Sequence, residues 1–296
     1  MQAMHIYQIL TPLISPRDLD AGFEVLDNCG NERPDWFEYW PIRRFLLNER
    51  LDENAFYGFL SPKFKLKTGL EAAAARQLIA AADPATDVIL LSPSIHNSAY
   101  YLNVFEHGDA EHPGLKTIAA RLFERLGLPH DLDSLVSDSR YTVLSNYFAA
   151  KPRFWREWLA VNEKIFAIAE APDDALGAQL RAPTTYRGGF GAQMKVFIVE
   201  RMATWLLSVD RSFTVQVRDP FAARSRIYKL PVAIVCDALK IAYATQGRAQ
   251  YKDVFMMVRG LRRFLNLQVR LGGALKCRRV APCLRILKSY WPQDER

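Results

Sequence analysis

The sequence predicts an α/β fold, in which a mixed sheet flanked by helices precedes a mostly helical, basic C-terminal part. Short apolar strand patterns alternate with helical patterns over the first 150 residues, which is typical of a sheet covered by helices on both faces. Beyond that point the apolar spacing becomes mostly helical. The 296 residues are 50% hydrophobic and 24% charged, a composition that supports a large core.

Four short apolar runs predict the strands of the sheet. Residues 5–10 indicate a first buried strand, and residues 23–26 and 56–60 indicate two more. Residues 87–91, with the sequence DVILL, have the pattern of a buried parallel strand.

The segments between these runs predict helices and loops. Asp35 followed three residues later by Glu38 resembles a capping box and predicts a helix start. Residues 61–69 predict a loop, and the alanine-rich residues 69–82 predict a helix. Residues 106–112, with the sequence EHGDAEH, lead into Pro-Gly and predict another loop.

Residues 145–210 contain the densest aromatic and helical patterns. A strand over residues 141–149 is expected to turn into a helix that begins at Pro152, and residues 194–210 predict a second helix. Helical spacing places Arg201 in or beside the apolar stripe of that second helix, where a buried guanidinium needs a partner. Two interpretations stay open: Arg201 and Glu200 reach solvent, or both face a cleft.

The positive charge of the chain lies in its C-terminal part. The formal net charge is +7, and residues 254–293 contain nine basic residues and no acidic one. Without these nine, 30 basic and 32 acidic residues leave a net charge of about −2. The nine are Arg259, Arg262, Arg263, Arg270, Lys276, Arg278, Arg279, Arg285 and Lys288. We therefore expect residues 1–221 to form the main domain and residues 222–296 a helical, basic segment.

This basic segment is also amphipathic, which favours an anionic membrane surface as its partner. No nucleic-acid motif accompanies it, so nucleic acid is not expected as a partner. An ordinary surface helix packed on the core is the alternative. The sequence shows neither a secretory leader nor a long apolar run, and its four cysteines form no CxxC pair. These features predict a cytoplasmic protein, peripheral on the inner membrane face.

Polar residues follow the predicted strands, where α/β sheets bind ligands. Asn28, Lys63 and Asn97 lie at such strand ends. His107, Asp109 and His112 lie within six positions of one another, and their spacing favours polar contacts to a substrate over a structural zinc site.

Two further segments are candidates for anion or metal binding. Asp138 precedes Arg140, and a carboxylate there is suited to a divalent cation that bridges a diphosphate, or simply to a turn. Residues 188–191, Gly-Gly-Phe-Gly, precede a helix and suit either an anion site or a flexible lid.

Two sets of residues match motifs of a known family. They are Asn146, Phe148, Phe154 and Trp158 in the first set, and Gly189, Phe190, Glu200 and Arg201 in the second. With the DVILLSP segment at 87–93, they resemble bacterial glycosyltransferases of the GT-A type that build surface polysaccharides such as capsule and O-antigen. The resemblance covers roughly residues 85–210. One departure is that the family's DxD metal motif is not evident.

The resemblance implies a Rossmann-like sheet of the GT-A type, a nucleotide diphosphate sugar as donor, and a lipid-linked glycan as acceptor. The leaving diphosphate of a hexosyltransferase-like reaction needs a cation or Arg and Lys side chains, and an inverting enzyme also needs a carboxylate base. Glu200 and Asp109 are the candidate bases, and Asp138 is the candidate ligand for Mn²⁺ or Mg²⁺. The residues expected to contact the substrates are Asn28, Lys63, Asn97, His107, His112, Arg140, Asn146, Arg187 and Arg201.

The segment NERPDWFEYW is unusually rich in aromatic residues. Trp36, Phe37, Tyr39 and Trp40 suit a platform for an acceptor sugar, a partner surface, or core at a helix start. A non-catalytic interaction protein at the membrane, using this cluster and the basic tail, is the alternative to a transferase.

Overall fold

The computed structural model describes residues 2–129, 131–184, 191–221 and 230–271, with side chains of the last helix to residue 260. Arg187, Gly189, Phe190 and the basic residues from Lys276 onward lie outside the described residues, and the side chains of Arg262, Arg263 and Arg270 also lie outside them.

The described residues form an α/β fold around a six-stranded mixed sheet, as predicted. The sheet strands are β1 (Met4–Leu10), β2 (Glu24–Asp27), β3 (Phe56–Leu60), β4 (Val88–Leu90), β5 (Phe148–Ala150) and β8 (Val215–Val217), and a separate two-stranded ladder contains β6 (Pro183–Thr184) and β7 (Ala192–Gln193). The strand order in the sheet is β2-β1-β3-β5-β4-β8. Strand β5 runs antiparallel to both of its neighbours, and the other pairings are parallel.

Helices cover both faces of this sheet. They are α1 (Tyr39–Asn48), α2 (Phe64–Thr68), α3 (Ala72–Ala80), α4 (Val104–Glu111), α5 (Leu115–Leu126), α6 (Pro152–Glu170), α7 (Ala175–Arg181), α8 (Met194–Val209), α9 (Leu230–Gln246) and α10 (Ala249–Leu271). The larger core cluster contains Trp155 and Trp158 of α6 and Met202 of α8, and a smaller one joins Ile6 to Ile79 of α3. Burial of large apolar side chains on both faces is the main stabilising contribution to this arrangement.

The predicted strand over residues 141–149 is wrong for most of its length. Only Phe148–Ala150 pairs as a strand, and the preceding residues form turns. The amide of Val143 bonds Thr204 Oγ1 of α8 at 2.9 Å, and the amide of Leu144 bonds Ser92 Oγ at 2.9 Å. These backbone groups are thus satisfied by side chains of neighbouring elements rather than by a second strand.

Two predicted loops contain helices. Residues 61–69 include the short helix α2, and residues 106–112 belong largely to α4. Asn103 caps α4, since its Oδ1 accepts hydrogen bonds from the amides of Phe105 and Glu106. The prediction of a loop at 106–112 is wrong because it relied on Gly108 and the following Pro113-Gly114 and did not take the Asn103 cap into account.

The predicted capping box at Asp35 is also wrong. Glu38 precedes α1 without a side-chain cap, and Asp35 instead binds Arg33 and Lys195. Lys195 at the start of α8 is buried and also lies 3.5 Å from Glu170. An ion-pair network therefore joins the turn at Pro34–Trp36 to α8.

Helix α9 packs against the body of the protein. Its Asp237 accepts a hydrogen bond from the amide of Ser139 at 2.8 Å, and the buried Lys240 donates one to the carbonyl of Ser137 at 2.7 Å. Burial lowers the pKa of Lys240, while the nearby Asp237 opposes this change. Among the described residues, no helix is both long and apolar enough to span a bilayer.

Candidate functional site

A cleft of about 930 Å³ opens at the carboxyl edge of the parallel strands. Ser61 follows β3 there, and Asn97 follows β4. Because β5 is antiparallel, the residues before it, Ser145 and Asn146, reach the same edge. The fold therefore gathers three chain segments at the position where α/β sheets bind ligands.

The cleft brings together six of the residues predicted from the sequence. They are Asn97, His107, His112, Asn146, Glu200 and Arg201. The two open interpretations of Arg201 and Glu200 are thereby distinguished, since both line the cleft.

Glu200 is held in a fixed position on α8. Its Oε1 accepts a hydrogen bond of 2.9 Å from the amide of Ser145. Ser145 and Asn146 have φ values of 60° and 53°, a left-handed conformation that costs free energy for a residue such as serine. Asn146 is buried, and its Oδ1 has no hydrogen-bond partner among the described residues. The strained turn thus fixes the Glu200 carboxylate through the amide of Ser145 and places Asn146 in the lining of the cleft.

Lys67 supplies a cation beside this carboxylate. Its Nζ donates a hydrogen bond of 2.9 Å to Ser145 Oγ, so Ser145 contacts both Lys67 and Glu200. The sequence pointed to Lys63, which is exposed and does not line the cleft. Since residues 64–68 are helical, Lys67 lies one turn beyond Lys63 and reaches the cleft instead.

Arg201 turns inward rather than toward solvent. Its Nε donates a hydrogen bond of 2.9 Å to the carbonyl of Val104, and its guanidinium also binds the carbonyl of Phe197. Burial lowers the pKa of Arg201, and the nearby Glu200 and Glu111 counteract this. A Cβ at Gly108 would lie 2.4 Å from Arg201 Nε, so any other residue at this position would displace the guanidinium.

Glu38 is a cleft residue that the sequence interpretation missed, because it assigned this carboxylate to a helix cap. It is only partly exposed, and burial raises its pKa. The negative charge of Glu200 raises it further, whereas Lys67 and Lys63 lower it. A carboxyl group whose burial favours its protonated form, next to one fixed by an amide, is an arrangement suited to proton transfer. The signal available in the sequence was an acidic residue enclosed by aromatic ones.

The two histidines are positioned by aromatic contacts. The His112 ring stacks on Phe197 with a centroid distance of 3.5 Å, and the His107 ring lies 5.0 Å from that of Tyr101. Both histidine rings line the cleft.

Other predicted site residues lie outside the cleft. Asp109 Oδ1 accepts hydrogen bonds from the amides of Gly114 and Lys116, and so stabilises the turn into α5. Asn28 is buried directly after β2, where its backbone N–H donates a hydrogen bond to the carbonyl of Leu10.

Asp138 does not fit the role of a metal ligand. Its carboxylate is fully buried, and the Arg140 guanidinium donates to both oxygens, at 3.0 and 2.8 Å. Neither residue lines the cleft. Within the described part of the chain, no group of three or more His, Cys, Asp or Glu residues is placed to hold a metal ion. We therefore assign Mn²⁺ or Mg²⁺ to no residue.

Among the described residues, the cleft thus combines two cations, three carboxyl groups and several neutral hydrogen-bonding groups in one volume. Such a combination can bind a phosphorylated ligand and move a proton. No protein-family model, no curated protein and no solved structure matches this chain, so its own residues alone indicate what it does.

Proposed function

We propose that this protein is a glycosyltransferase that moves a sugar from a nucleotide diphosphate sugar to a lipid-linked glycan acceptor in the synthesis of cell-surface polysaccharide. The observation that carries the proposal is the double contact of Ser145, whose hydroxyl bonds the Lys67 ammonium and whose amide bonds the Glu200 carboxylate, both of them lining the cleft. A sugar transfer that inverts the anomeric carbon needs both a cation for the departing diphosphate and a base for the acceptor hydroxyl.

The residues of the cleft divide between these two requirements. Lys67 and Arg201 offset the negative charge that develops on the diphosphate when its bond to the anomeric carbon breaks. Glu200 takes the proton of the acceptor hydroxyl as the oxygen of that hydroxyl bonds to the anomeric carbon. Asn97 and Asn146 offer hydrogen bonds that orient the substrates.

The proposal predicts that a nucleotide stabilises the folded protein. A ligand that binds only the native state raises the melting temperature by mass action. We expect one of the diphosphates UDP, GDP and dTDP, in a panel that also contains CMP and is tested with and without manganese, to raise it by several degrees. A cooperative melt that no nucleotide shifts would contradict the proposal, and the manganese arm tests metal dependence separately.

We further propose that the C-terminal part places the enzyme on the cytoplasmic face of an anionic membrane. Helix α10 exposes Met256 (49%) and Met257 (71%), and residues 254–293 carry nine basic residues and no acidic one. Apolar side chains among basic ones favour an anionic lipid surface. The same features suit the alternative function, a non-catalytic protein at the membrane.

Sedimentation with lipid vesicles tests this partner. We expect the protein to sediment with vesicles that contain phosphatidylglycerol and to stay in solution with neutral phosphatidylcholine vesicles. Retention on an oligonucleotide with no binding to either vesicle would contradict the membrane assignment. Vesicle binding without any nucleotide effect would favour the non-catalytic alternative.

A further inference from the structure

Phe37 presents an aromatic ring to the cleft from an unfavourable backbone conformation. It lines the cleft and is 45% exposed, although its neighbours Trp36 and Tyr39 are buried in the core. Its φ and ψ are 48° and −132°, a combination with positive φ that residues other than glycine rarely adopt. An exposed apolar ring gains little from folding, so burial does not explain why it is held there.

Contacts on both sides hold Phe37 in this conformation. Before it, Trp36 Nε1 donates a hydrogen bond of 2.9 Å to Glu170. After it, the Tyr39 hydroxyl donates one of 2.8 Å to Glu163. These anchors fix the chain on either side, and the unfavourable conformation between them points to a function of the exposed ring.

We propose that Phe37 and Glu38 form the binding subsite of the acceptor saccharide, in which the apolar face of a pyranose ring stacks on Phe37. Hydroxyl groups at the edge of that ring then bind the carboxyl groups of Glu38 and Glu200. This inference rests on the proposed transferase function and adds to it the location of the acceptor. The inference also assigns two roles within the aromatic segment. Trp36 and Tyr39 belong to the core, and Phe37 contacts the ligand.

The charges around Phe37 favour a neutral saccharide over the nucleotide. Glu38 follows Phe37 directly, and Glu111 and Glu200 line the same cleft. Ionised carboxyl groups repel phosphates. With sugar hydroxyls, a carboxyl group forms hydrogen bonds as an acceptor or, when protonated, as a donor. An aromatic face beside carboxyl groups therefore suits a polyhydroxylated ring with one apolar side.

Saturation-transfer NMR with methyl glucoside, methyl galactoside and methyl mannoside tests the subsite in the full-length protein. We expect at least one glycoside to bind the wild type, and Phe37→Ala to weaken that binding about three- to tenfold. Leu66→Ala is the matched control, because Leu66 is an 83% exposed apolar side chain that does not line the cleft. It should leave glycoside binding unchanged.

The outcomes separate this inference from the proposed function. Glycoside binding that depends on Phe37, in a protein that no nucleotide stabilises, would support the saccharide subsite and contradict the transferase. Absence of glycoside binding in the wild type would overturn the subsite even where a nucleotide binds. Loss of the nucleotide effect in Phe37→Ala, with glycoside binding retained, would assign the ring to the nucleobase instead.

Phe37→Gly provides a readout that a purely structural role would not give. Glycine normally destabilises a chain relative to alanine, but it adopts positive φ without strain. We therefore expect Phe37→Gly to melt at a higher temperature than Phe37→Ala and yet to bind glycosides equally weakly. A lower melting temperature for the glycine variant would show that the conformation of Phe37 is not strained and would remove this argument.

Discussion

Glu200→Gln is expected to lower the rate of sugar transfer by about 100-fold to 10,000-fold, the usual contribution of a general base. Glutamine keeps an oxygen that accepts the hydrogen bond from the amide of Ser145, so the strained turn before β5 stays in place. It cannot accept the proton of the acceptor hydroxyl. The measurement is the rate at which nucleoside diphosphate is released in the presence of the acceptor. The donor is a sugar derivative of the nucleotide that raises the melting temperature.

Glu124→Gln is the control for this variant. Glu124 lies exposed on α5 and does not line the cleft, so its replacement should leave turnover unchanged. Both variants should melt close to the wild type. If Glu200→Gln retained the wild-type rate, another residue would act as base, and Glu38 would be the next carboxyl group to test.

Lys195→Met is expected to lower the free energy of unfolding by about 2–3 kcal/mol. This is less than the loss expected for a fully buried ion pair, because the two carboxylates that Lys195 contacts are partly exposed. The Lys195 side chain is 1% exposed, while those of Asp35 and Glu170 are 29% and 31% exposed. The variant leaves Arg33 as the only cation bonded to these two carboxylates in the described structure. Urea denaturation at pH 7 measures the change.

Lys65→Met is the matched control, since Lys65 pairs with Glu71 on the surface and both side chains are about two-thirds exposed. Surface pairs contribute less than about 1 kcal/mol, so this variant should be nearly neutral. Equal effects of the two substitutions would contradict the role of the Lys195 network in holding the turn that carries Phe37 and Glu38.

The same network predicts how stability depends on pH. Burial alone would raise the pKa of Asp35, but hydrogen bonds from Arg33 and Lys195 outweigh it and lower the pKa to about 2. Because the folded pKa lies below the ordinary value of 3.8, the stabilisation is present above that value. It is lost as the pH falls toward 2, and Lys195→Met should reduce this loss.

The elements that the sequence predicted best have one dominant local signal. The apolar runs at β1, β3 and β4 and the aromatic spacing of α6 and α8 each match the period of the structure that forms. Glu200 and Arg201 were also found from the sequence, because helical spacing placed Arg201 beside an apolar stripe where a guanidinium is unexpected.

The features that the sequence did not predict depend on contacts between distant residues. Thr142, Val143 and Tyr147 have the composition of a strand, yet Thr204 and Glu200 of α8 bind that segment as a turn. Gly108 weakens the helical pattern of α4, and Arg201 occupies the space that a side chain at position 108 would take. Local propensity cannot report such long-range contacts.

The central claim is that the cleft at the carboxyl edge of the sheet binds a nucleoside diphosphate. Isothermal titration calorimetry with the nucleotide that raises the melting temperature tests this claim most directly. Lys67→Gln should weaken binding at least about tenfold, because it removes a cation from a phosphate. Lys63→Gln, four residues away and outside the cleft, should bind as the wild type does. Equal affinities of wild type, Lys67→Gln and Lys63→Gln would place the nucleotide elsewhere and contradict the claim.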